Sequence, residues 1–301
     1  SSFDECHVSA VARGYSASAG ADALGWRPHH LRVLALTPGV LGHLSRILKR
    51  VAPGDVPAKA ARAVYPSGIF VLEDMASGKE RAVLPPLSLI KLAAAALAKA
   101  RLADGPLLPY LEASGQFGLS KGGVEHAAHI NHALFSFATG IQVQLDAKKF
   151  YYRMNKCFLA KCVADLGEWA LLRALKASFC SGNNGMLCAD PAVEGGRTRL
   201  PPPPGGIPPG HPLATVLCVV GLAACVNGAT GDLALRAKQA ALDNGATPEE
   251  ASIAGARALE ACQFKAIADD ITISGDPDLV VQGVYLLNDH LHREQAGTFN
   301  I

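Results

Sequence analysis

Two short stretches constrain this chain more than anything else in it. Ile141-Gln142-Val143-Gln144-Leu145-Asp146 alternates apolar and polar side chains and ends on an acid. A period of two marks a strand with one face buried. Far downstream, Gln263 to Ser274 reads as strand, tight turn, strand, with Asp269-Asp270 at the tip. A fold that makes these strands neighbours gathers three carboxylates at one end of a sheet. Two Mg²⁺ ions about 3.5–4 Å apart need bridging carboxylates of this kind, carried on separate rigid elements. An Asp-Asp turn with an unrelated surface Asp is the other reading, and the pattern leaves both open.

Helices fill most of the remaining chain. Gly25 to Arg50 carries Leu31, Leu34, Leu36, Val40, Leu44 and Leu48 at helical spacing, broken near Pro38-Gly39. A second helix is predicted from Pro57 to Val64. Ile69 to Leu72 and Arg81 to Leu84 read as strands around a turn at Ala76-Ser77-Gly78. Helices then follow over Leu87–Leu102, from Gly122-Gly123 to Ala138, and over Lys156–Ser178. Ser181-Gly182-Asn183-Asn184-Gly185 is a turn, and Pro201 to Gly206 can be neither helix nor central strand. Helix resumes over Pro212–Val226, and Thr247-Pro248-Glu249-Glu250 signals the start of another. There is no internal repeat.

Half of the 301 residues are apolar and 18% are charged, a globular composition with enough chain for a sizeable core. Pro212 to Val226 is too short for a membrane span and reads as a buried helix. The first residues, Ser1 to Glu5, carry no basic leader, and the reading expects a fragment of a longer product. Eight Cys in a chain this long, none in a CxxC pair, predict reduced thiols and an intracellular setting. Charge is uneven. From Arg27 to Arg101, 12 Lys/Arg stand against 4 Asp/Glu; from Ala241 to Ile301, 3 stand against 10. A basic first third suits a polyanion and an acidic end suits divalent cations, although solvated helix faces give the same counts. His126, His129 and His132 recur at helical spacing; no fourth zinc ligand is evident, so solvated or nucleic-acid-facing histidines are expected.

Ala266-Ile267-Ala268-Asp269-Asp270-Ile271-Thr272-Ile273 resembles the "YADD" hairpin of reverse transcriptases, particularly those of non-LTR retrotransposons. Other segments resemble the family in the same order. Gln144-Leu145-Asp146-Ala147-Lys148 is similar to its "LDAKNAF" segment, and Gly206-Ile207-Pro208-Pro209-Gly210-His211-Pro212-Leu213 to its "GVQQGDPL" loop. Lys79 to Val83 stands where "RPI" is usual. Gln116-Phe117-Gly118 with Gly122-Gly123-Val124-Glu125, and Gly25-Trp26-Arg27 with His30-Leu31, resemble further family segments.

The resemblance implies an α+β right-hand architecture: helical fingers with a short hairpin over residues 1–139, and an antiparallel palm sheet backed by helices over 140–301. It implies RNA-templated DNA synthesis by two-metal nucleotidyl transfer, using Mg²⁺ or Mn²⁺, an RNA template, a DNA primer and dNTPs. Asp146 and Asp269 would hold the metals with Asp270 in support, and Arg81 would hold the triphosphate. Tyr151 would form the sugar gate, and Gly206, Gly210 and Leu213 would shape the template loop. Thumb and endonuclease parts lie outside the chain in this reading, Gly297 to Ile301 begins the next strand, no membrane is involved, and the location is nuclear.

The chain also departs from the family. Pro209 replaces the usual Gln, His211 the usual Asp, Phe150 a small residue and Ala82 a Pro, while Asp74 stands near where a basic residue is usual. His211 offers no fixed negative charge to cap the helix at Pro212. These departures fit a decayed copy or a divergent lineage. Two other functions therefore stay open: a non-catalytic nucleic-acid-binding relic, and an RNA-templated RNA polymerase.

Overall fold

Apolar runs, proline-opened helices and one alternating strand become a mixed α/β structure with small sheets and many helices. A computed structural model of the chain describes residues 3–22, 24–73, 80–137, 140–147, 150–181, 185–189, 197–201 and 205–294. The turn at 76–78, Asp74, Lys148, the centre of the turn at 182–184, the prolines at 202–204 and the tail 297–301 lie outside the described residues. By packing, the chain divides into two units, neither continuous in sequence: Ser1–Pro106 with Val163–Leu217, and Leu107–Cys162 with Cys218–Ile301.

The first unit opens with α1 (Glu5–Arg13), α2 (Pro28–Leu36), α3 (Leu41–Val51) and α4 (Ala58–Val64). The break between α2 and α3 falls at Pro38-Gly39, as the sequence predicts. A two-residue strand, β1 (Ser67–Gly68), precedes the hairpin β2 (Phe70–Glu73) and β3 (Glu80–Val83). Next comes α5 (Ser88–Asp104), whose Ile90, Leu92, Ala93, Ala94, Ala96, Leu97, Ala98 and Ala100 are all buried. Its many alanines let α1, α2 and α3 approach closely, so α5 forms the axis of the unit's core. The Asp22 carboxylate fixes its start, accepting from the Ser88 N–H at 2.7 Å, while the Ser88 hydroxyl donates to the Trp26 carbonyl at 3.1 Å.

The second unit takes up the chain with α6 (Leu107–Ala113), α7 (Gly123–Phe137), β4 (Ile141–Asp146) and α8 (Phe150–Arg153). The helix read over Lys156–Ser178 is interrupted. It forms α9 (Lys156–Asp165), a turn at Gly167, then α10 (Trp169–Leu175), which widens into a π-helical turn over Lys176–Cys180. From Val163 the chain is back in the first unit, where two further strands, β5 (Met186–Ala189) and β6 (Arg197–Leu200), pair with β1 in the order β1-β5-β6. The sequence gives no sign of this sheet, because two to four residues are too few for an alternation to register. The helix α11 (Pro212–Asp243) runs well past Val226. It is long and apolar enough to cross a membrane, but 72% of its most apolar window is buried inside the protein, as in a core helix.

The second unit closes with α12 (Pro248–Ala261), β7 (Cys262–Ile267), β8 (Asp270–Gly275) and α13 (Pro277–Arg293). A capping box opens α12 where the sequence signals it: the Thr247 hydroxyl accepts from the Glu250 N–H, and the Glu250 carboxylate accepts from the Thr247 N–H. Strand order is β4-β8-β7, antiparallel throughout. Its apolar face, built from Val143, Leu145, Phe264, Ala266, Ile271 and Ile273, is covered by α13, with Gly283 seated on Phe264 and Cys262. All eight Cys are free thiols.

One polar pair stands out in the first unit. Arg101 reaches Glu168 through two hydrogen bonds of 2.7 Å, and the Glu168 side chain is only 1% exposed. Removing one partner of such a buried pair strands the other charge. Glu168→Ala should therefore cost about 3 kcal/mol in urea unfolding at neutral pH, whereas Arg101→Met with Glu168→Leu together should recover most of it.

Candidate functional site

Register decides what β4, β7 and β8 present to solvent. Directly opposed residues of an antiparallel pair share a face, and the ladder pairs Asp146 with Asp270, Gln144 with Thr272 and Gln142 with Ser274. On the far side of β8, Asp270 meets Ile267 and Thr272 meets Lys265. The face away from α13 is therefore polar, with Asp146 and Asp270 side by side at one end. Both side chains are exposed, and among the described residues the structure gives neither carboxylate a hydrogen bond or an ion pair. Asp269 is the neighbouring residue in the β7–β8 turn and is half-buried. The fully buried Cys218 thiol of α11 is pushed up by burial first and by the negative charge of Asp269 second.

The turn itself is held from outside the hairpin. Gln116, 1% exposed, donates from Nε2 to the Ala268 carbonyl at 2.9 Å and accepts at Oε1 from the Ala268 N–H at 3.0 Å. Backbone bonds of 2.8 Å, from the Phe117 N–H to the Ala266 carbonyl and from the Ala266 N–H to the Gly115 carbonyl, lay residues 115–117 along β7. The Phe117 ring carries Lys265 above it, 5.8 Å from the centroid, and burial pushes the Lys265 ammonium down. His126 meets the same ring in an edge arrangement, with the centroids 5.0 Å apart. Among the described residues no three His, Cys, Asp or Glu side chains converge as a metal cage, and this holds for Asp146, Asp269 and Asp270 as for His126, His129 and His132: the sheet brings Asp146 and Asp270 together, and the expected gathering of three carboxylates is not formed.

Tyr151 belongs to the same unit. It stands on the short helix α8, half-buried, with its ring edge-on to Phe150 at 5.7 Å, while Phe150 is a core residue.

The remaining residues named by the resemblance lie in the first unit. Arg81 stands on β3 opposite Leu72, and its side chain lies outside the described residues. Gly206 and Gly210 both have left-handed backbones, φ 65° and 102°. At Gly210 a Cβ would meet Val83 Cγ1 at 2.6 Å, and the Leu84 N–H donates to the Pro209 carbonyl at 2.9 Å, so this loop lies flush on the end of β3. Leu213 is 1% exposed and packs inward beside Ile90 and Ala93. His211 corrects an expectation. It does cap α11, its Nδ1 accepting from the Leu213 N–H at 3.2 Å, because a neutral imidazole keeps one lone pair. Its ring is buried edge-on to Phe179, and burial pushes it down to about 3.

No family model matches the chain, and no curated protein matches it. Among solved structures, the chain is similar to telomerase from Candida albicans in complex with a fragment of telomeric RNA: 13% identity, a TM-score of 0.50, covering 81% of this chain and 43% of that one. Telomerase from Candida tropicalis, truncated from its C-terminal domain, is 12% identical with a TM-score of 0.49, over 79% of this chain and 49% of that one. This chain thus spans less than half of the chains it resembles. The first likeness shows a reverse-transcriptase-like fold, at an identity too low to speak for anything beyond fold.

His211 makes pH a probe of the loop. Its folded value lies below the ordinary 6.5, so its stabilising contribution is complete above 6.5 and is lost as pH falls toward 3. Between pH 7 and pH 5 the protein should lose about 2 kcal/mol of unfolding free energy to this residue. His211→Asn, which keeps an acceptor for the Leu213 N–H, should remove that part of the slope in urea titrations at the two pH values.

Proposed function

We propose that the chain carries the nucleotide-joining part of an RNA-templated DNA polymerase, with fingers over 1–139 and a palm over 140–301. One observation supports it above the rest: Asp146 and Asp270 are opposed in register at the exposed end of the sheet's polar face, with Asp269 next to them in the turn. Like charges directly opposite one another in a sheet are unfavourable. A divalent cation reverses the sign of that interaction.

The donor set fits Mg²⁺. Carboxylate oxygens are hard ligands, and Mg²⁺ is usually held by one or two of them while substrate phosphates and water complete its shell. A three-residue protein cage is therefore not needed, and Mn²⁺ suits the same oxygens. Bound there, the ions would make the primer 3′-hydroxyl a better nucleophile and neutralise charge on the triphosphate. The chain's own contribution is to fix the acids on strands so that they need not reorganise during reaction.

In this reading Arg81 contacts the triphosphate, since a guanidinium suits bidentate phosphate binding. Tyr151 limits room at the sugar 2′-position. Gly206 and Gly210 let backbone approach the template closely, and Leu213 acts by packing beneath them. RNA as the template, an origin in a non-LTR retrotransposon, a thumb and endonuclease elsewhere in the product, and a nuclear location belong to the same proposal. One observation favours a non-catalytic RNA-binding form instead. Pro209 has no N–H, so the position where the family has Gln offers a template no backbone or side-chain donor, and its carbonyl is already engaged by the Leu84 N–H.

Incorporation of dNTPs on a primed RNA template with Mg²⁺ separates these readings. Asp146→Asn, Asp269→Asn or Asp270→Asn should bring incorporation to background with no fall in the urea midpoint, and relief of the opposed charges should raise it for Asp146→Asn and Asp270→Asn. RNA binding without incorporation by the parent chain would select the non-catalytic form. Tyr151→Ala should raise ribonucleotide use relative to deoxynucleotides, and unchanged discrimination would confine Tyr151 to packing against Phe150.

A further inference from the structure

Ala268, immediately before the two acids of the turn, has φ 55°, and among the described residues it is the one non-glycine with a positive φ. An L-residue with a Cβ rarely holds that conformation without outside support. Both of its backbone polar groups are taken by one side chain, the Gln116 amide, from 152 residues earlier in the chain. The same Oε1 also accepts from the Gly118 N–H at 3.0 Å.

The amide does here what a strand residue would do. Residues 115–117 bond to Ala266 through the backbone, and the next groups along β7, those of Ala268, are met by the Gln116 side chain. The fit is close on both sides. A Cβ at Gly115 would collide with the Phe264 carbonyl oxygen, and one at Gly118 with the Ala268 nitrogen. Only a primary amide offers a donor and an acceptor in one planar fork; Glu when ionised accepts alone, and Leu does neither. Asn has the fork on a shorter stem.

We infer that Gln116 is a positioning residue for the metal-binding acids: by clamping both backbone groups of Ala268 it holds the left-handed turn that sets where Asp269 and Asp270 point. This rests on the reading of Asp146, Asp269 and Asp270 as ligands of a divalent ion. Gln116 touches neither ion nor substrate. Its part resembles that of the outer partners of metal ligands, whose loss weakens metal affinity by about 10- to 100-fold.

The test uses the whole chain and Mn²⁺ alone, with the bound fraction read by electron paramagnetic resonance and the Ala268 backbone read by carbon chemical shifts. In Gln116→Leu, Mn²⁺ affinity should fall about tenfold or more, and the Ala268 shifts should leave the left-handed range. Adding Ala268→Gly, which reaches positive φ without help, should restore at least half of the lost affinity on a logarithmic scale. Gln116→Glu, which keeps both acceptor bonds and loses the donor, should lie between parent and Gln116→Leu, and it stands in should the leucine variant fail to fold. A lower urea midpoint with Mn²⁺ affinity unchanged would make Gln116 a structural residue only and overturn the inference. So would left-handed Ala268 shifts that persist in the variant. Failure of the parent chain to bind Mn²⁺, or binding that survives Asp146→Asn, would instead strike the metal reading of the acids, and the clamp would then have no ligands to position.

Discussion

Everything of interest in the second unit depends on the register between β4 and β8. The apolar residues Val143 and Leu145 oppose Ile273 and Ile271 beneath α13, and that burial makes one alignment far better than its neighbours. A slip of one residue would turn every side chain of a strand to the other face, sending isoleucines into water and carboxylates into the core. Locking the apolar face in this way forces Asp146 against Asp270 on the opposite face. The hydrophobic effect thus sets the position of two like charges that repel each other, and the sheet tolerates them because they are solvated.

The turn that joins β7 to β8 is held by a different kind of force. Hydrophobic burial fixes strands but leaves the ends of a hairpin free to choose among turn types. Here the choice is made by hydrogen bonds from Gln116, a buried polar side chain with all three of its contacts directed at backbone. Such an amide costs free energy to bury unless each group is satisfied, and it is satisfied only when Ala268 takes the left-handed form. Directional bonding supplies the specificity that packing alone lacks.

Two buried polar groups of the first unit also make directed bonds, although Nε2 of His211 is buried without a partner among the described residues. The Arg101–Glu168 pair is bidentate, and His211 is kept neutral so that it can accept from Leu213. The substitution of His for Asp in the loop reads from sequence as the loss of a cap. In a site closed off by Phe179, however, an ionised carboxylate would carry a heavy desolvation penalty, and a neutral imidazole fills the capping role without it.

Elements whose signal is local and repeated are legible in the residues alone. Alternation fixed β4 at Ile141–Asp146, the Thr247–Glu250 motif fixed the start of α12, and the acids sit at the hairpin turn where the pattern placed them. Each of these depends on residues within a few positions of one another. The pairing of Asp146 with Asp270, the clamp of Gln116 on Ala268, the burial of His211, and the sheet formed by β1, β5 and β6 emerge only in the folded chain. The physical reason is separation along the chain. These contacts join residues that share no period and no neighbouring motif, so their free energy exists only once helices such as α13 and α5 have brought distant segments to the same place.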